Sequence, residues 1–259
     1  MVKLKKYNVA IKQIVLFLTF IIASGCSRSQ YHVTKIEGRE IGVTEKNPDA
    51  VEIEKFIKPY RENIDKDMNI VLAYAPVTLD KFTGEWQTSI GNLMADVVLV
   101  KGNAVFNARQ KKNIDMSLLN FGGIRSIIPK GNVTTRTAFE IMPFENSLIV
   151  AELKGDVVLE MLSYIIGEKK AHPLSGVTFT ISKDNQPKNI LIQGQPLDNS
   201  RTYYVLTSDY LLNGGDNMVF FKKSLANHDL DYKIRNVLID YFKEVDSIPV
   251  INDVRIRKE

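Results

Sequence analysis

Two short stretches of this 259-residue chain hold the side chains best suited to chemistry. The first runs Leu118-Leu119-Asn120-Phe121-Gly122-Gly123-Ile124-Arg125 and is followed by Pro143-Phe144-Glu145-Asn146. The second is Leu206-Thr207-Ser208-Asp209-Tyr210-Leu211-Leu212-Asn213-Gly214-Gly215-Asp216. In both, an apolar run stops at an Asn followed by paired glycines. That is the pattern of an element ending in a loop whose backbone takes positive φ or passes close to another group. Arg125 lies just past the first glycine pair. A planar, permanently charged fork beside bare backbone suits an anion such as phosphate. Spacing alone fits a plain turn with a surface arginine better, and Phe144 and Tyr210, taken singly, fit core packing better. Metal chemistry has little to draw on. His32, His172 and His228 are the three histidines and stand in no ligand cluster, and Cys26 is the one cysteine, which excludes an internal disulfide or a thiolate metal cluster.

Taken together and in this order, the two stretches resemble the C-terminal, substrate-binding domain of the 5'-nucleotidase family. That family carries Asn-Gly-Gly-Gly-Ile-Arg, then Pro-Phe, then Asp-Phe-Leu-x-x-Gly-Gly-Asp. The resemblance covers residues 69–259 and extends to Ser89-Ile90-Gly91-Asn92-Leu93-Met94-Ala95-Asp96, which is similar to the family's Asn-x-Gly-Asn-Leu-x-x-Asp helix. It implies that Phe144 and Tyr210 flank a base, where stacking contributes about 1 to 3 kcal/mol. It further implies that Asp216 accepts from ribose hydroxyls, Asn120 meets a base edge and Arg125 meets phosphate or ribose oxygens. Gly122, Gly123, Gly214 and Gly215 would shape the two loops. An Asx turn would use the Asp216 carboxylate just as well.

Three departures from the pattern matter. Tyr210 stands for a Phe, Phe121 stands for a Gly and would narrow the pocket or add a stacking face, and Gly84-Glu85-Trp86-Gln87-Thr88 lacks an arginine that relatives place before the helix. Trp86 filling that space would weaken phosphate binding. The family's hydrolysis is done by an N-terminal metallophosphatase domain with two metals, carrying Asp-x-His and Gly-Asn-His-Asp/Glu; neither motif is present here. The resemblance therefore implies the nucleotide- or nucleoside-binding half of a split 5'-nucleotidase-type phosphoester hydrolase. No catalytic residue, cofactor or metal belongs to this chain in that reading; divalent metals sit on a separate metallophosphatase partner, and the chain is inactive alone. The alternative is a stand-alone nucleotide- or nucleoside-binding lipoprotein without activity, and a third reading is a structural surface lipoprotein on a reused fold.

The elements that position these residues follow from periodicity. Residues 1–25 read as an export signal: Lys3, Lys5, Lys6 and Lys12 precede an apolar core, Ile14 to Ala23, and Gly25-Cys26 closes it as in a bacterial lipobox. The core is shorter than the about 20 residues of a membrane span. Lipidation at Cys26 would hold the protein in the cell envelope, facing the periplasm or the surface, and cleavage near Cys26 would instead release it. The signal directly precedes a short N-terminal segment, 26–67, which implies a chain made without the catalytic half. The whole chain has 34 Lys+Arg and 30 Asp+Glu, and the first 25 residues hold four Lys and no acid, so the remainder carries 30 of each sign. Nothing there favours a nucleic-acid surface.

Weak alternation predicts short strands over 31–44. Asn47-Pro48 predicts the cap and first turn of a helix over 48–65 with Ile53, Phe56, Ile57, Tyr60 and Ile64 on one face. A strand over 68–77, buried at Ile70 to Ala73, opens the main domain, 68–259. Ser89 caps the next helix, strands follow at 116–119 and near Val133, and Thr137 to Glu140 offers a capping box. A strand over 147–153 precedes a helix capped by Asp156. Strands at 177–181, 190–192 and 203–207, a helix through Ile234, Val237, Leu238 and Phe242, and a strand over 250–256 complete the chain. Helices and strands mix without strict alternation, which predicts an α+β fold with a mixed sheet and packed helices.

Overall fold

The computed structural model describes residues 3–24, 32–42, 44, 47, 48 and 50–259, which form two compact units, Met1–Ile53 and Glu54–Glu259. The first unit carries helix α1 (Lys3–Ser24). Among the described residues no helix is long and apolar enough to cross a membrane. Gly25 and Cys26, and with them the lipidation reading, lie outside the described residues. The strands expected over 31–44 are not seen: the described residues 32–42 are irregular and exposed, because Gly38 and Gly42 interrupt a segment with nothing to pair against. Helix α2 (Val51–Met68) starts later than Asn47-Pro48 predicts. The Asn47 side chain donates to the Gly42 carbonyl at 3.1 Å instead of capping. Phe56, Tyr60 and Ile64 form the predicted stripe, but all three are exposed.

The second unit is α+β. In chain order it contains β1 (Val71–Ala75), α3 (Ser89–Gln110), β2 (Met116–Leu118), β3 (Gly131–Thr134), α4 (Thr135–Ile141), β4 (Ser147–Lys154) and α5 (Gly155–Glu168). Then come β5 (Leu174–Ser175), β6 (Val177–Ile181), β7 (Pro187–Ile192), β8 (Gln195–Pro196), β9 (Thr202–Ser208), α6 (Asp209–Leu212), β10 (Asn227–Lys233), α7 (Ile234–Glu244) and β11 (Ile256–Lys258). The central sheet has the order β10-β4-β9-β2-β5. Its strands alternate sides as pleating requires. Leu148, Val150 and Leu206 face a core shared with α3, α4 and α7. Ala151, Leu153, Tyr203 and Val205 face a second core shared with α5 and the small sheet β11-β6-β7-β8. A covered sheet of this kind explains why β4 is apolar on both faces. Within the central sheet only β2 and β9 run parallel, with Met116 opposite Val205 and Ser117 opposite Leu206.

Local signals shift several boundaries. Thr88, not Ser89, caps α3 and accepts from the Gly91 N–H at 3.1 Å, while the Ser89 hydroxyl accepts from the Asp80 N–H. The capping box before α4 pairs Thr134 with Thr137, so Thr137 is its third residue rather than its first. Helix α5 has no side-chain cap; Asp156 lies in its first turn. In β1 the buried residues are Ala73 and Ala75, while Val71 and the preceding Ile70 are exposed, since the strand, paired with β3 and bridged to Ser247 through Tyr74, covers its core with one face. The closing strand falls at 256–258, parallel to β6, because Arg255 anchors the chain there: it is buried and bonds the Asp96 carboxylate and the Leu174 carbonyl, each at 2.6 Å.

Candidate functional site

The parallel pairing of β2 with β9 decides where the two glycine loops go. Both strands end on the same edge of the sheet, so loops some ninety residues apart in sequence meet beyond their carboxyl ends. Asn120 Nδ2 donates to Asp216 Oδ2 at 2.7 Å across that junction. The other carboxylate oxygen, Oδ1, accepts from the Tyr210 hydroxyl at 2.8 Å. The Asp216 backbone is held as well: its N–H donates to the Tyr210 oxygen at 3.2 Å and its carbonyl accepts from the Tyr164 hydroxyl at 2.5 Å. Burial first, then nearby carboxylates, pushes the Tyr164 hydroxyl up to about 12, so it stays a donor. Each Asp216 oxygen keeps a further acceptor position.

The glycines divide between the two needs that the sequence pattern offers, positive φ and close approach. Gly122 and Gly123 lie in a 3-10 turn, Phe121–Gly123, without positive φ. Gly123 is needed for close approach, since a Cβ there would come within 2.7 Å of Asn120 Oδ1. In the second loop Gly214 does take the left-handed conformation, with φ of 90°, and Gly215 lies under the Tyr210 ring, where a Cβ would be 2.5 Å from ring carbons. The first loop is secured beneath by His172, whose Nδ1 accepts from the Phe121 N–H at 3.2 Å. Burial drives the His172 pKa down to about 4, against a smaller opposing effect of Asp216.

Phe144 comes from a loop clamped at the start of α7. Buried Arg235 donates to the Pro143 carbonyl at 3.2 Å, forms an ion pair with Glu145 and stacks its guanidinium 4.1 Å from the Phe139 ring centre. The Ile234 N–H donates to the Asn146 carbonyl at 3.0 Å. Phe144 and Tyr210 are 41% and 46% exposed, so neither is a core residue. Arg125 is exposed too, with its guanidinium carbon 5.7 Å from the Phe144 ring centre.

These groups line one cleft of about 580 Å³. Asn120, Gly122, Gly123, Arg125, Phe144, Tyr210 and Asp216 are all part of its wall; Gly214 and Gly215 are not, and act by shaping the loop behind Tyr210. Sequence reasoning missed the apolar floor of Leu119, Met142 and Ile234 and the polar groups Glu145, Asn146 and Ser208. Asn146 follows the Pro-Phe motif directly, and its amide donates to Asp209 Oδ1 at 2.9 Å. Ile234, on another element, left no such signal. Two expectations fail. Trp86 is buried in the core on the α5 side, and Phe121 turns toward Lys81; neither ring lines the cleft. Among the described residues, no three His, Cys, Asp or Glu side chains gather where they would hold a metal ion.

Comparison with known proteins agrees with this geometry. The family described as 5'-nucleotidase, C-terminal domain, matches residues 73–223, more than half of the chain. The chain is 26% identical over 219 residues to the trifunctional nucleotide phosphoesterase protein YfkN of Bacillus subtilis, covering 78% of this chain and 14% of that one. It is 24% identical over 231 residues to an apyrase of Tabanus yao, covering 81% of this chain and 42% of that one. Among solved structures, a 5'-nucleotidase precursor from Thermus thermophilus superposes with a TM-score of 0.68 at 26% identity, over 83% of this chain and 44% of that one. The chain thus spans less than half the length of each of these relatives. The family match takes in both glycine loops and every residue of the cleft wall except Ile234, and on that ground the chain belongs to the family of 5'-nucleotidase C-terminal domains.

Proposed function

We propose that this chain binds nucleosides and nucleoside monophosphates in the cleft and serves as the substrate-binding half of a 5'-nucleotidase-type phosphoester hydrolase whose metallophosphatase is a separate chain. The observation that carries the reading is the pair of exposed rings, Phe144 and Tyr210, on a cleft that also presents Asp216, Asn120 and Arg125. Exposing two aromatic faces on clamped loops sacrifices burial, and a flat ligand between them restores it. Asp216 then takes the ribose hydroxyls with its remaining acceptor positions, and Asn120 meets the base edge.

Nothing in this arrangement generates a nucleophile, and phosphate-ester hydrolysis is among the slowest uncatalysed reactions. The metals of a partner would supply it. This chain contributes the base and ribose contacts that fix where the phosphate lies, so that remote binding energy raises turnover at the partner's centre. Titrating the protein calorimetrically with AMP, UMP and adenosine tests the binding step. Phe144→Ala and Tyr210→Ala should each weaken binding by about 1 to 3 kcal/mol. No heat at millimolar ligand, or two variants that bind as wild type does, would rule the reading out.

A further inference from the structure

Asp216 stands on a backbone that needs outside support. It is in the left-handed conformation, with φ of 50° and ψ of 30°, and Asn217 follows it with φ of 58°. A residue with a Cβ is disfavoured there, and the conformation persists where surrounding groups fix it. The surrounding groups are two tyrosine hydroxyls. The Tyr210 oxygen accepts from the Asp216 N–H at 3.2 Å, and the Tyr164 hydroxyl donates to the Asp216 carbonyl at 2.5 Å. Tyr210 lies six residues away and is itself exposed, so the two ends of that bond can move together. Tyr164 belongs to α5, a different and well-packed element. Its ring meets buried Phe220 edge to face, 5.5 Å between centres, and lies 6.0 Å from the ring of buried His172. The fixed end of the support is therefore Tyr164.

We propose that Tyr164 is the positioning residue for the ribose contact: by holding the Asp216 carbonyl it keeps that residue left-handed, the conformation in which its carboxylate lines the cleft and bonds Asn120 and Tyr210. This role rests on the nucleotide-binding reading and adds to it a residue that touches no ligand. Tyr164 forms no part of the cleft wall, so its effect reaches a ligand only through Asp216. Removing the hydroxyl leaves the ring packed against Phe220 and takes away the restraint alone. Asp216 is then free to turn toward the right-handed region, which carries its carboxylate out of line with the ribose hydroxyls. Phe144, on a loop that Arg235 holds, is untouched by that turn.

Calorimetric titration of the full chain with adenosine and with 2',3'-dideoxyadenosine tests the role, since the second ligand keeps the base and lacks the two ribose hydroxyls. Wild type should bind adenosine about tenfold more tightly, the increment of hydrogen bonds to a carboxylate. Tyr164→Phe should lose most of that preference through weaker adenosine binding, with dideoxyadenosine binding unchanged. In an Asp216→Ala background the same substitution should have no further effect on adenosine, because the group it positions is gone. A Tyr164→Phe protein that keeps the full adenosine preference, or one that loses both ligands equally, would overturn the assignment, as would a loss that persists in the Asp216→Ala background. Equal binding of the two ligands by wild type would also overturn it while leaving the base-stacking reading in place. Silence of wild type toward both would remove the two together.

Discussion

Single residues around this cleft are held by partners that sequence proximity does not reveal, and His172, beneath the first loop, is the clearest case. It is buried, accepts a hydrogen bond from the Phe121 N–H, and has a folded pKa of about 4 against 6.5 for an unperturbed histidine. Above pH 6.5 both folded and unfolded chains are neutral at this ring and stability does not depend on it. Between 6.5 and about 4 the unfolded chain takes up a proton that the folded chain refuses. Stability therefore falls as pH is lowered through that window, by on the order of 3 kcal/mol for this group, and flattens below it. His172→Asn keeps an acceptor for the Phe121 N–H and removes the titration. Denaturant unfolding at pH 7 and pH 4.5 should show wild type losing about 2 kcal/mol more than the variant; equal losses would show that His172 does not titrate as described.

At the scale of elements, the site depends on how α7 holds the loop that carries Phe144. Arg235 bonds both Pro143 and Glu145 and stacks on Phe139, so Arg235→Met should loosen Phe144 more than it harms the fold. The expected result is nucleoside binding weakened by about 1 kcal/mol or more, with a thermal midpoint lowered by only a few degrees. Unchanged affinity in a folded variant would show that the loop holds itself. This clamp was not legible in the sequence, because Arg235 lies some ninety residues from the loop and reads as one more charge on an amphipathic helix. The strands β4 and β9 were legible because sheet burial writes itself as continuous apolar runs. Strand β10 was not: it is an edge strand, Asn-His-Asp-Leu-Asp-Tyr-Lys, with Leu230 alone buried, and edges are kept polar. The need for glycine in the two loops was legible, but which need applies was not: Gly214 takes positive φ, while Gly123 and Gly215 answer to the nearness of Asn120 and of the Tyr210 ring, which no local pattern names.

For the whole molecule, the expected behaviour is binding without turnover. AMP hydrolysis measured with manganese, zinc or cobalt should be absent for this chain alone and should appear, or rise at least tenfold, when a matching metallophosphatase is added. Metal-dependent turnover by the chain alone would refute the division of labour, and neither stimulation nor association on mixing would favour a binding lipoprotein. Attachment is a separate expectation. If Cys26 carries a lipid, Cys26→Ser should move the protein from the membrane fraction to the soluble one, and unchanged partition would exclude that anchor.

The parallel pairing of β2 with β9 has a kinetic side as well. Parallel neighbours need a long crossover, and here everything from β3 to β8 lies between the two strands. Closing so long a segment costs chain entropy before any contact rewards it, which makes the pairing a late and slow event in folding. Asn120 and Asp216 lie on opposite sides of that closure. A ligand that touches both would therefore stabilise the native state while leaving the early folding steps alone, and would act chiefly by slowing unfolding. The cleft in this sense is a latch across a join between distant parts of the chain: occupancy keeps the protein folded longer without helping it fold faster.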